Sequence, residues 1–398
     1  MSTAIKSPSV TGRDHRVDFW RGIALAMIFI NHIPGNLWEN FTSRNFGFSD
    51  AAEIFVFLAG FASAYAYGRP FLAGRKLVAA VRAWRRAGVL YLVQITLSMA
   101  ALGIFSWGAL AFGRGDLLQT IGLSSFVQSP VETMIGLATL GHQFGYVNIL
   151  PMYSVLLLML PGFLVLARID LRLMLGASVL LWVVAALFSL DMPAYPLPGG
   201  WFFNPFSWQL IFVLGLTCGF RRIRFGEATS YSPWLMGIAL AYAFVAFLTI
   251  RFSLWSWWGD LGLPVMIAGF DKTYVSLPRL LHLVAILYIF SNPAKTSVFA
   301  TISRDNLFAM VGRHSLPVFA VGTVLSLFGQ VIKFGGEPSL VFDSALILGG
   351  LSVQIALARF LDWWTDYNRR LAEPAAVRPV TAASPAIPVA APVTPRTA

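Results

Sequence analysis

Ten stretches of about twenty residues, almost empty of charge, constrain this chain more than any other feature: 19–36, 51–67, 88–110, 147–167, 173–190, 205–220, 233–251, 278–292, 315–333 and 341–361. A hydrocarbon core about 30 Å thick is crossed by roughly 20 helical residues. Inside it each backbone N–H and C=O must find its partner within the structure, and a helix satisfies them all along its own length. The spacing predicts an all-α, polytopic integral membrane protein of about ten transmembrane helices. A chain with 57% hydrophobic and 12% charged residues is no ordinary soluble domain, where charge approaches a quarter.

The formal charge of +11 would point to nucleic acid in a soluble protein, but here the bases fall in particular loops. Arg13 and Arg16 precede the first stretch; Arg69, Arg75, Lys76, Arg82, Arg85 and Arg86 follow the second; Arg221, Arg222 and Arg224 follow the sixth. Arg168 with Arg172, and Arg304 with Arg313, fall in further alternate loops. Basic loops stay in the cytosol, so an even number of crossings places both termini there. The opening residues carry no apolar run ending in a small-residue cleavage site, so 1–17 reads as a cytoplasmic segment and the first stretch as a retained span. Residues 18–365 form the membrane domain. From 371 to 398 the chain is rich in Ala, Pro, Val and Thr without periodicity and reads as a disordered tail.

Two outer loops, DMPAYPLPGGWFFNP and LWSWWGDLGLPVMIAGFDKTY, are rich in aromatic residues, as membrane belts and sugar-stacking platforms both are. Gly113–Tyr146 is too long for a turn, with apolar pieces too short to span, and reads as a re-entrant or interfacial element. The one cysteine, Cys218, excludes an internal disulfide and a cysteine metal cluster, and no metal or tightly bound cofactor is expected.

Within the first stretch, Arg21 and His32 are eleven helical steps apart, a rise of about 16.5 Å that returns the side chain to within roughly 20° of its starting face. With Arg21 near the cytosolic boundary, His32 lies toward the outer leaflet, where an ionisable group is costly and points to function. Next come Arg44 and, at i, i+3, Asp50 and Glu53; Ser49 or Asp50 can cap the second helix. A carboxylate that accepts one imidazole proton would fix the tautomer and leave the other nitrogen as a base. His142, with Gln143 and Asn148 nearby, and His282 fall at the same expected depth. Arg21 and the Arg82/Arg85/Arg86 cluster are placed either to hold an anionic donor headgroup or to set orientation. Arg313 admits the same two roles. No GxSxG elbow, P-loop, HExxH or dinucleotide fingerprint occurs.

The run DFWRGIALAMIFINHIPG followed by FTSRNFGFSDAAEIFVFLAGF closely resembles the OpgC-type proteins, membrane enzymes that succinylate osmoregulated periplasmic glucans. Four later segments match in order: GHQFGYVNILPMY, WFFNPFSWQLIFVLG, DKTYVSLPRLLH and GRHSLPVFAVG. The resemblance covers about residues 13 to 365. The spacing from Arg21 to His32 also looks like the signature of acyltransferase-3 type membrane acyltransferases.

The resemblance implies an O-acyltransferase of the bacterial inner membrane. Its donor is a cytosolic acyl-CoA, succinyl-CoA by family, and its acceptor a hydroxyl of a periplasmic glucan. His32 would be the general base and Arg21 its partner in the signature, with Asp50 and Glu53 orienting the ring. Arg44, His142, Asn148, His282 and the basic cluster would contact substrate. The competing class is a transporter or flippase for an anionic or glycan-linked substrate, disfavoured by the lack of evident inverted repeats.

Overall fold

A computed structural model of the chain describes residues 14–255, 265–293 and 296–372. The stretch expected as a disordered tail lies outside these, apart from its first two residues, as does the middle of the second aromatic outer loop. All regular structure among the described residues is helical, save an isolated bridge between Pro193 and Gly200. Ten principal helices coincide with the ten apolar stretches: α1 His15–Asn31, α2 Ala51–Ser63, α3 Lys76–Ala111, α4 Ile149–Ile169, α5 Leu171–Leu187, α6 Pro205–Phe225, α7 Pro233–Arg251, α8 Leu277–Ser291, α9 Ser315–Lys333 and α10 Leu340–Ala372. A π turn over Ala64–Gly68 carries α2 on to Leu72.

By length and composition alone, six of these are long and apolar enough to cross a membrane: Ala51–Leu72, Lys76–Ala111, Ile149–Ile169, Pro233–Arg251, Ser315–Lys333 and Leu340–Leu371. The other four are shorter or charged. α1 has 17 residues and carries Asp18 and Arg21, while α6 ends in Arg221, Arg222 and Arg224.

Helix ends differ from the expected ones for local reasons. α1 stops at Asn31 because Pro34 and Gly35 (φ 74°) follow, so His32 caps the helix instead of lying within it. α3 starts at Lys76 rather than 88, which puts Arg82, Arg85 and Arg86 on a helix and not in a loop. Gly115–Gln119, Ser124–Gln128 and Pro130–Ala138 break the Gly113–Tyr146 segment into pieces too short to span.

The core forms where α2 meets α6. A Cβ on Gly60 would lie 1.9 Å from the Phe212 carbonyl oxygen, and one on Gly215 would lie 2.0 Å from that of Phe57. Only paired glycines allow backbones this near, the small-residue packing by which membrane helices associate. α3 against α4 and α5 against α6 complete the buried apolar cluster. The described residues to Arg359 form one compact unit and those from Phe360 another, in which Phe360, Trp363, Trp364 and Tyr367 stack along the end of α10.

Candidate active site

Chemistry concentrates where the C-terminus of α1 and the N-termini of α2 and α8 converge. Asp50 caps α2: its Oδ1 accepts the Ala52 amide at 2.8 Å, and its own amide donates to Glu53 Oε2 at 3.0 Å. This reciprocal box leaves one oxygen of each carboxylate directed elsewhere. Asp50 Oδ2 meets Lys272 Nζ at 2.5 Å, and Glu53 Oε1 accepts Arg279 Nε at 3.0 Å and also Arg279 Nη2. Arg279 Nη2 is 3.8 Å from Asp50 Oδ2, closing a cluster of two carboxylates and two cations. Glu53 is 1% exposed, a burial that such a charge tolerates only when paired and hydrogen-bonded. Lys272 also stands over the rings of Phe203 and Phe202, at 5.5 and 6.0 Å from their centroids.

His32 is half-buried beside this cluster, and the charges of Lys272 and Asp50 both act on its ring. Its backbone carbonyl accepts Gln330 Nε2 at 2.6 Å, and Tyr146 packs edge-on at 5.2 Å. Asn36 donates to the carbonyls of Ile30 and Ile33, so the end of α1 is fixed from two sides. Among the described residues, neither nitrogen of the His32 ring has a hydrogen-bond partner. Asp50 and Glu53 are thus engaged by Lys272 and Arg279, and the carboxylate–imidazole hydrogen bond that spacing alone would permit is not formed.

His282 is 4% exposed on α8. Its Nδ1 accepts the Ser49 amide at 3.2 Å and lies 2.7 Å from Ser49 Oγ, while its Nε2 is buried without a partner. His142 sits elsewhere: its Nε2 donates to the Gly122 carbonyl at 3.2 Å, and its ring stands edge-on to Phe144. Burial pushes His142 below the usual imidazole range. Asn148 precedes α4 without a side-chain cap bond. Arg44 is exposed, 3.7 Å from Glu39.

Two cavities lie along α1 and α2. The smaller, about 250 Å³, is lined by Arg21, Arg86, Tyr67, Tyr153 and Ser315, and reaches as far as Phe55 and Phe319, whose rings stack at 6.4 Å. Arg21 braces the two helices, bonded to the Leu58 carbonyl at 3.2 Å and 3.5 Å from Asp18. Arg82 and Arg85 are exposed on α3, and Arg313 donates to the Arg304 carbonyl at 2.6 Å. The larger cavity is a groove of about 700 Å³ that runs from Arg16, Arg222 and Asn292 at one end to Ser49 and His282 at the other. No group of three or more His, Cys, Asp or Glu suited to a metal occurs among the described residues.

Sequence reasoning missed Ser49 as a partner of His282, and it missed Lys272, Arg279, Tyr146 and Gln330. A signal for the two cations was present. They lie at the start of α8 or just before it, and the acidic pair at the start of α2 needs counter-ions when buried.

The model of the family described as OpgC protein matches residues 13–366. No curated protein and no solved structure matches the chain.

Proposed function

From its membership of the OpgC protein family, a family of glucan-modifying transferases, we propose that this chain is an O-acyltransferase. It moves an acyl group, succinyl by family, from cytosolic acyl-CoA to a hydroxyl of a periplasmic glucan. In this reading the ten helices cross the bacterial inner membrane with both termini in the cytosol, and residues 18–365 act as one catalytic domain. One observation carries the reading: at the outer end of α1 a half-buried histidine keeps both ring nitrogens open while every charge around it is paired.

His32 removes the proton of the glucan hydroxyl as that oxygen attacks the acyl carbonyl carbon. A new C–O bond forms, the acyl group's bond to its carrier breaks, and the proton returns to the departing group. Asp50 and Lys272, locked to each other, hold a fixed field around the imidazolium that forms, so little reorganisation is needed during the reaction. The donor's phosphates belong on the cytosolic side. There Arg21 and Arg86 line one cavity, Arg16 and Arg222 stand at the foot of the other, and Arg82 and Arg85 are exposed nearby. Arg21 acts on donor binding through the α1–α2 seam that it braces. Phe202, half exposed beside Lys272, offers a sugar ring a stacking face at the outer end.

Mass spectrometry of periplasmic glucans from cells with and without the protein tests this directly. An acyl increment present only with the protein is expected, and succinate fixes its identity. Identical glucan spectra from both cells would contradict the reading.

A further inference from the structure

The reaction as derived uses one side of the outer cluster, and the other side carries a second hydroxyl–imidazole pair. Ser49 Oγ is 2.7 Å from His282 Nδ1, and the Ser49 amide donates to the same nitrogen at 3.2 Å. A nitrogen that accepts an amide proton carries none of its own, so the ring hydrogen is on Nε2, and the one Nδ1 lone pair is shared between the Ser49 amide at 3.2 Å and its hydroxyl at 2.7 Å. That arrangement activates a nucleophile. Both residues are buried, and the ring fits only because residue 47 is glycine: a Cβ there would lie 2.0 Å from Nε2. Nε2 itself has no partner among the described residues. Ser49 also stands just before the N-cap of α2, a helix end that favours negative charge.

The groove supplies the access. Between polar ends its wall is apolar, formed by Trp20, Met27, Phe57, Phe61 and Leu287. At about 700 Å³ it lies in the size range of small-molecule sites, whereas the chamber holding Arg21 is smaller and bounded toward the outer side by the Phe55–Phe319 stack. Its occupant must be long and slender, enter from the cytosolic end and present a carbonyl oxygen at the far end. An acyl thioester on an extended arm has that shape.

We propose that Ser49 receives the acyl group as an ester before the glucan does; the proposal rests on the acyl-transfer reading above. Ser49 Oγ attacks the thioester carbonyl carbon and its proton passes to His282 Nδ1. The C–O bond forms, the C–S bond breaks, and His282 gives that proton to the departing thiolate, releasing free thiol. On the outer side a glucan hydroxyl then attacks the Ser49 ester and gives its proton to His32. The ester C–O bond breaks, and the proton returns from His32 through water to Ser49 Oγ. One histidine serves the cytosolic donor and the other the external acceptor, so neither substrate has to cross.

The full chain in detergent is mixed with succinyl-CoA without glucan, quenched in acid and digested, and the peptide holding Ser49 is weighed. A succinyl adduct on Ser49 is expected in the wild type, at several-fold higher occupancy in His32→Ala, and at least tenfold reduced in His282→Gln. Ser49→Ala loses it, and Ser49→Cys carries it as a thioester, which keeps the test valid if the alanine variant fails to fold. Glucan succinylation by Ser49→Ala at the wild-type rate, or turnover with no adduct in either the wild type or His32→Ala, overturns the relay and leaves the transferase reading standing. Absence of CoA release with every glucan tested overturns both.

Discussion

Two regions of the molecule hold histidines among packed helices, and they bond them differently. In the segment from Gly113 to Tyr146, polar groups are tied to nearby backbone: His142 Nε2 to the Gly122 carbonyl, its amide to Gly136, and Gln143 Nε2 to Leu140. Gln94 and Tyr91 of α3 anchor the same segment through the carbonyls of Val147 and Ala138. At the junction of α1, α2 and α8, by contrast, four charges pair among themselves and two imidazoles keep nitrogens free of hydrogen bonds. Burial alone therefore does not say which histidine has a free ring. His142 ties one ring nitrogen to the Gly122 carbonyl, whereas neither ring nitrogen of His32 has a partner among the described residues.

The sharpest way to break this contrast is to remove each histidine in turn. His32→Ala is expected to lower the rate of glucan acylation by about 10²- to 10⁴-fold, the range for loss of a general base, with insertion and expression unchanged. His142→Ala is expected to keep wild-type turnover and to lose stability by about 1–3 kcal/mol, the cost of a buried carbonyl left unsatisfied. Equal loss of turnover in both variants, measured as CoA release on the purified proteins, would erase the distinction.

The charged junction can be probed without touching a histidine. Arg279→Met leaves Glu53 buried and uncompensated, a change that costs about 3–5 kcal/mol when one partner of a buried pair is removed. Thermal unfolding in detergent is expected to report that loss. Adding Glu53→Gln to the same chain is expected to restore much of it, and no recovery in the double variant would mean that the pair does not act as a unit.

The smallest effect belongs to the loop between α5 and α6. Asp191, outside the spans, is pushed up to about 6 by burial, against an ordinary carboxylate value of about 3.9. The folded loop holds that proton more tightly than the unfolded one, so its local stability is greatest below about pH 4 and is lost as pH rises toward about 6. Protection of residues 189–204 against hydrogen exchange, corrected for the intrinsic rise of exchange with pH, is expected to fall across that window in the wild type and to stay flat in Asp191→Asn. The same slope in both would assign the change to another group.

Much of this architecture is legible in the sequence, because twenty-residue apolar stretches admit few alternatives in lipid. All ten principal helices fall where hydropathy places them, and the Asp50/Glu53 spacing anticipates the capping box. The ends are less legible. α3 extends back to Lys76 through residues polar enough to look like a loop, since helix formation does not stop at the apolar boundary. Partnerships are the least legible of all. Ser49 and His282 are 233 residues apart, and only the packing of α8 against the start of α2 joins them. Lys272 and Arg279 read as isolated bases until the fold sets them opposite Asp50 and Glu53.

In the proposed reaction an acyl group enters from the cytosolic face and leaves on a glucan at the other. Oriented proteoliposomes with succinyl-CoA confined to the side of the α1 N-terminus, and glucan to the opposite side, measure this directly. Succinylated glucan is expected in that arrangement and is expected to vanish when donor and glucan are both confined to the α2 N-terminal side. Product formed equally well with donor and acceptor together on that outer side would contradict the account.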